Sequence, residues 1–266
     1  MQGCRDYVAD CCRGTIIAAL LTAGSAVSRA QTTPHLNALG VTDARPLAPP
    51  PSSLGAHTLL VQSEGLGESP ATAAPITTQP NGSALIVFNG GYSGNAAPPV
   101  DSYSNKWKQL GRSVTYGNGY DGFDVKAYVA LSAKGGPHHT VSIFKHANAT
   151  GEISVPFIEV RQAGVLRDVA QNYAASGLVL TSGSVTTTGP ATLVALWWGD
   201  GGVTRMTAVP NNGFSVIDSF LKLPDNSGVQ CAVAYKQVAT AGTYNVSWIG
   251  APIQGAILWL FAFQSR

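Results

Sequence analysis

Thr243-Tyr244-Asn245-Val246-Ser247-Trp248 places Tyr, Val and Trp at alternate positions, with Thr, Asn and Ser between them. Successive side chains of a β-strand point to opposite faces, so this order gives one apolar and one polar face, whereas a helix would scatter the three large groups around its axis. The stretch predicts a half-buried strand, and the chain around it repeats the signal. Strands are predicted at 57–62, 83–89, 125–131, 140–144, 153–160, 184–188, 192–198, 214–221, 231–238, 243–248 and 256–263. Turn-forming clusters of Gly, Pro, Asn and Ser separate nearly all of them.

The composition agrees. Thirty glycines and sixteen prolines among 266 residues, with two methionines and 11% charged residues, are poor in helix formers and rich in turn formers. The connections are too short for the crossovers that parallel strands need. The expected fold is therefore all-β, an antiparallel two-sheet sandwich of jelly-roll type, with a closed barrel as the alternative. One segment reads as helical: in Val165–Ala175, Leu166, Val169 and Tyr173 recur at spacings of three and four.

Three segments depart from alternation. Ala84–Phe88, Leu193–Trp198 and Ile257–Phe263 are apolar at every position, which predicts strands covered on both faces. One face belongs in the sandwich core. The other requires a long loop, the short helix or a second subunit, because an exposed face of this kind would be an association site.

The N-terminal segment carries Arg5 and Arg13, a short apolar run from Thr15 to Leu21, and small residues ending in Ser28-Arg29-Ala30. This is the layout of a cleavable export leader over 1–30, although Asp6 and Asp10 oppose its charge, and the run is too short to span a bilayer. Residues 31–56, with Pro34, Pro46 and Pro49-Pro50-Pro51, read as an extended spacer. The folded domain is expected over 57–266, in a secreted or extracellular protein, the periplasm and the cell surface included, with no membrane segment once the leader is removed. Cys4, Cys11 and Cys12 precede the apolar run, which leaves Cys231 as the one cysteine of the mature domain, without an internal disulfide.

A formal charge of +2 excludes the basic footprint that nucleic-acid binding requires. No Gly-x-Ser-x-Gly elbow and no phosphate-cradling glycine loop is present. His138 and His139 are adjacent and would point apart on a strand, so the histidine spacing makes no metal site. Glu152 and Glu159 are the only glutamates after Glu68, and spacing alone does not pair them as a glycosidase would. Asp200 and Asp218 read as turn or rim residues. Asn118-Gly119-Tyr120-Asp121-Gly122-Phe123-Asp124 offers oxygens to calcium but lacks the acidic spacing and closing Glu of the usual loop, so no cofactor is expected.

What remains is aromatic. Tyr92, Tyr103, Trp107, Tyr116 and Tyr120 crowd a Gly-, Asn- and Ser-rich stretch from Gly90 to Gly122, with Asp121 and Asp124 at its end. Flat apolar faces interleaved with amides and hydroxyls suit sugar rings, which stack on one face and hydrogen-bond at the edge. These seven residues are the predicted ligand site.

The run from Leu180 to Asp200, with Ala208–Ile217 and Ala241–Trp248, resembles a group of bacterial and phage-associated secreted β-sandwich proteins over roughly Ser83 to Phe263. The resemblance implies the fold and a bacterial or phage origin and transfers no site residue. The function expected is a secreted, non-catalytic module that recognises a glycan or cell-surface polymer. A structural or adhesive subunit of a phage particle or extracellular assembly, with homo-oligomers, is the alternative, followed by a polysaccharide-degrading enzyme.

Overall fold

The computed structural model describes residues 50–92, 97–115, 123–145, 149–199, 206–223 and 228–266. The leader predicted at 1–30 and residues 31–49 of the predicted spacer lie outside them. The described residues belong to one compact unit, Leu47–Arg266.

Among the described residues the chain is all-β, without a helix and with every paired strand antiparallel. In order come β1 (Ser53–Gln62), β2 (Ala71–Thr72), β3 (Asn81–Tyr92), β4 (Val100–Asp101), β5 (Lys108–Thr115), β6 (Phe123–Lys134), β7 (Val141–Ile143) and β8 (Ile153–Arg161). They are followed by β9 (Val165–Thr181), β10 (Val185–Thr187), β11 (Ala191–Gly199), β12 (Val209–Pro210), β13 (Ser215–Phe220), β14 (Cys231–Val238), β15 (Gly242–Tyr244) and β16 (Ser247–Gln264). No described helix is long and apolar enough to cross a membrane.

The first large sheet has the order β1-β8-β3-β6-β5, and β2-β7-β4 forms a small sheet beside it. In the second large sheet, β12-β16-β11-β14-β13, strand β9 pairs the free side of β16, and β10-β15 is a separate ribbon. Each large sheet is thus drawn from its own half of the chain.

The three strands without alternation lie inside both large sheets and are covered on both faces. Ile86 and Phe88 of β3, Leu196 and Trp198 of β11, and Trp259 and Phe261 of β16 share one buried cluster, which holds side chains from both large sheets. Their in-between neighbours face outward layers: Leu85 and Val87 meet Ala71, Val141 and Ile143 of the small sheet. Leu193, Trp197 and Leu258 meet Val185, Val246 and Trp248. The second cover comes from the chain itself. No second subunit is needed: over β3 the cover is the small sheet, and over β11 and β16 it is the β10-β15 ribbon with Leu180, Val246 and Trp248 and with Met206, Ala208 and Phe214 from the connection between β11 and β13.

The helix predicted at Val165–Ala175 is instead the first part of β9. A register shift opposite Ala262 and Phe263 pairs them with Asp168 and Leu166, so Arg167 is the extra residue of a bulge. That residue puts Leu166 and Val169, three apart, on one face, and Tyr173 follows two strand periods later; all three pack against the central cluster. Ala170 and Ala174 pack against the opposite one. The predicted strand at 243–248 is two elements, with β15 ending at Tyr244 and β16 starting at Ser247. Val246 and Trp248 nevertheless enter the same core, which preserves the alternation across the break.

Candidate functional site

The strand register separates the residues predicted to form an aromatic site. Tyr92 pairs with Phe123, and Gly91 with Asp124, at one end of β3 and β6. The side chains of Tyr92 and Asp124, and all of Tyr116, Tyr120 and Asp121, lie outside the described residues. Trp107 precedes Lys108, which pairs with Val129, six residues along β6 from Phe123 or roughly 20 Å at strand rise. Tyr103 and Trp107 belong together there, gathered around Asp101.

Asp101 is the acceptor of a convergent donor set. Its Oδ1 takes Tyr103 N at 2.8 Å, Asn105 Nδ2 at 3.0 Å and His139 Nε2 at 3.3 Å; its Oδ2 takes Trp107 Nε1 at 2.7 Å and Asn105 N at 3.1 Å. Removal from water opposes the charge on Asp101, and the bonds from His139, Tyr103 and Trp107 outweigh that cost, holding its pKa below the ordinary carboxylate value. An ionised carboxylate only accepts, so His139 carries a proton on Nε2. In the neutral ring Nδ1 then accepts from Thr78 Oγ1 at 2.8 Å, and that oxygen accepts in turn from Gly136 N.

Hydroxyl, imidazole and carboxylate in one line resemble a nucleophile relay, but the environment is wrong for one. The side chains of His139 and Asp101 are fully buried, Thr78 is 4% exposed, and the imidazole is held between the rings of Tyr103 and Phe157. No substrate atom reaches the hydroxyl. The line is a structural strut joining β4, the residues just before β7 and the 76–80 segment. Adjacent His138 takes the exposed position, with a positive φ.

Two further buried charges are used in the same way. Glu159 on β8 accepts Ser83 Oγ at 2.6 Å, Gln79 N at 2.7 Å, Ala56 N at 3.1 Å and Arg161 Nε at 3.3 Å. With every lone-pair direction committed, it has no proton-transfer role to spare. Lys145 Nζ donates to Gly151 O at 2.7 Å and Ala149 O at 2.9 Å; burial pushes its pKa down, against the pull of Glu152 and Glu68. Cys231 is fully buried, and burial pushes its thiol pKa far up, so it is a packing residue. Among the described residues no group of three His, Cys, Asp or Glu could hold a metal ion. Calcium at 118–124 falls outside them, except for Phe123 and Asp124.

The two large sheets are laced at both lateral edges. At one, His57 Nδ1 of β1 lies 2.8 Å from Asp218 Oδ2 of β13. At the other, the Gln171 amide of β9 acts as a strand partner for β5: its Nε2 donates to Arg112 O at 2.7 Å, and its Oε1 accepts Arg112 N at 3.3 Å. Gly111 permits this approach, because its φ is +61° and a Cβ there would sit 2.7 Å from Gln171 Oε1. The β5–β9 edge stays open beside the clamp as a polar cleft of about 310 Å3 lined by Arg112, Gln171, Asn172 and Tyr173. Sequence reading missed this site, because its residues come from a bulged strand and from a segment with the spacing of a helix.

Comparison with known proteins brings no identification: no protein family, no curated protein and no solved structure matches the chain.

Proposed function

We propose that this is a secreted, non-catalytic recognition module of sandwich architecture that holds a glycan or cell-surface polymer. Facing apolar sides of two large sheets support the sandwich. The path β1-β8-β3-β6 beside β2-β7-β4 supports the jelly-roll reading, since it is the order made by two interlocked Greek keys. Architecture alone does not choose a function.

The observation that carries the reading is the β5–β9 cleft. Arg112, Gln171, Asn172 and Tyr173 line it, residue types that hydrogen-bond sugar hydroxyls or acidic groups; the Gln171 amide bonds the Arg112 backbone and Asn172 Nδ2 donates to Thr181 O, which leaves the Arg112 guanidinium as the group offered to a ligand. The buried carboxylates and imidazole that an enzyme would need are instead bonded to backbone and neighbours. Arg112 lies on β5, just before the aromatic segment that holds Tyr116 and Tyr120.

The test is binding to a glycan array and to bacterial surface polysaccharides by wild type, Arg112→Ala, Asn172→Ala and Tyr120→Ala, with melting curves for each. Binding weakened at least about tenfold in the variants, at an unchanged melting temperature, supports the module. Binding to nothing, or binding indifferent to all three substitutions, removes it.

One observation favours the adhesive-subunit alternative. Val179 pairs with Ile249, and Ile249 with Val209, so three exposed apolar side chains form a row across β9, β16 and β12. Self-association detected by sedimentation and abolished by Ile249→Lys would favour that reading; a monomer at all concentrations would discard it.

A further inference from the structure

We infer that the chain consists of two copies of one eight-strand unit, β1–β8 and β9–β16, joined head to tail and packed on one another about an approximate two-fold axis. Each unit is the other's partner across the buried faces of the large sheets, whatever the ligand.

The strand paths coincide. The first unit runs first-eighth-third-sixth-fifth strand in β1-β8-β3-β6-β5, and the second runs the same way in β9-β16-β11-β14-β13. The second and seventh strands of each pair outside the large sheet, β2 with β7 and β10 with β15.

The registers coincide as well. One row across the first sheet is His57, Ile158, Ile86, Val129, Lys108. The matching row across the second is Gln171, Trp259, Leu196, Val233, Asp218. The chain offset that carries His57 to Gln171 also carries Thr72 to Thr186, and the one that carries Ile158 to Trp259 carries Ser142 to Thr243. Thr72 faces Ser142 in the first unit, as Thr186 faces Thr243 in the second. Nothing obliges independent strands of two or three residues to keep the offsets of their long neighbours unless one unit was copied.

Burial follows the same correspondence. Ile86, Phe88, Val125, Ala127 and Val160 point into the central cluster, as do their counterparts Leu196, Trp198, Val229, Cys231 and Phe261. Leu85, Val87, Ala130 and Phe157 point the other way into one outer core, and Ala195, Trp197, Ala234 and Leu258 into the other. Large and small residues are exchanged between counterparts while the face is kept, which is how a core retains its volume after a duplication diverges.

A two-fold axis places the first strand of each unit beside the fifth of the other. His57 of β1 meets Asp218 of β13, and Gln171 of β9 meets Arg112 of β5. The junction holds the end of the first unit beside the start of the second, so the axis also brings the end of the second beside the start of the first, and here all of them meet. Pro50, Gly164 and Arg266 line one cleft, and Arg266 Nε donates to Gly164 O at 3.2 Å. The units differ at the fourth strand, where β4 pairs with β7 but β12 pairs with β16.

Two interchangeable units tolerate either order in the chain. A circular permutant that starts at Gly164, continues from Arg266 into Met1 and ends at Ala163 keeps every residue, with residues 1–49 spanning the join. It is compared with the full-length chain cut at a protease site placed between Ala163 and Gly164. The permutant is expected to keep the parent's far-ultraviolet and tryptophan circular dichroism and to melt within about 10 °C of it, and the cut chain to remain an associated, folded pair. An unfolded permutant beside a folded cut chain overturns the inference, because chain order would then matter. A cut chain that unfolds overturns it too, because the units would then not be self-contained.

Discussion

His57 Nδ1 and Asp218 Oδ2, 2.8 Å apart and separated by 161 residues of chain, join an edge strand of one large sheet to an edge strand of the other. The bond from Asp218 raises the His57 pKa above its ordinary 6.5, against partial burial and with the help of the Asp218 charge. A raised pKa in the folded state means that protonation favours folding. The contribution is complete below the unfolded value and is lost as pH rises through the folded one. His57→Gln is therefore expected to cost about 1 kcal/mol under mildly acidic conditions and much less under alkaline ones, read from urea unfolding across pH. An equal cost at both ends of the range would show that the charge contributes nothing.

Asp101 organises five donors without solvent. Asp101→Asn turns one acceptor oxygen into a donor facing other donors, for an expected loss of about 2–4 kcal/mol in denaturant unfolding. Its pKa is depressed, so the carboxylate's contribution is present above its unfolded value, near 3.8, and is lost as pH falls through the folded one. The gap between wild type and Asp101→Asn should close in acid. A gap that persists there would assign the cost to packing.

Glu159 fills space that Gly55 leaves open. A Cβ at Gly55 would overlap the Glu159 carboxylate. Gly55→Ala is expected to cost about 1–3 kcal/mol through overpacking. In the double variant Gly55→Ala/Glu159→Ala the alanine should add little further cost, because its obstacle is gone; additive losses would contradict the contact.

Cys231 sits inside the central cluster with its thiol held protonated by burial. In a Cys4→Ser/Cys11→Ser/Cys12→Ser background, a thiol-reactive disulfide reagent should label Cys231 at least about a thousandfold more slowly in buffer than in denaturing urea. Rapid labelling of the folded protein would place the thiol at the surface.

Sequence legibility followed from period and length. Strands with several apolar residues in a row or in alternation were readable, among them β3, β8, β11 and β14. β2, β4 and β12 have two residues each, too few to show any period. β5 is largely polar and bulged between Leu110 and Val114, and the bulge at Arg167 gave β9 the spacing of a helix. The duplication is invisible in the sequence because counterparts such as Val87 and Trp197, or Ile158 and Trp259, share a face and not an identity.

The sequence by itself determined that the described part of the chain is all-β and that three of its strands are buried on both sides, since unbroken apolar runs between turns leave no other stable arrangement. Only the tertiary structure decided what covers those strands, because strand pairing across more than a hundred residues leaves no local mark. It also separated Tyr92 from Trp107, spent Asp101, His139 and Glu159 on internal bonds, and opened a polar cleft at Arg112 and Gln171. Each of these depends on register, and register is fixed by which partner a strand finds.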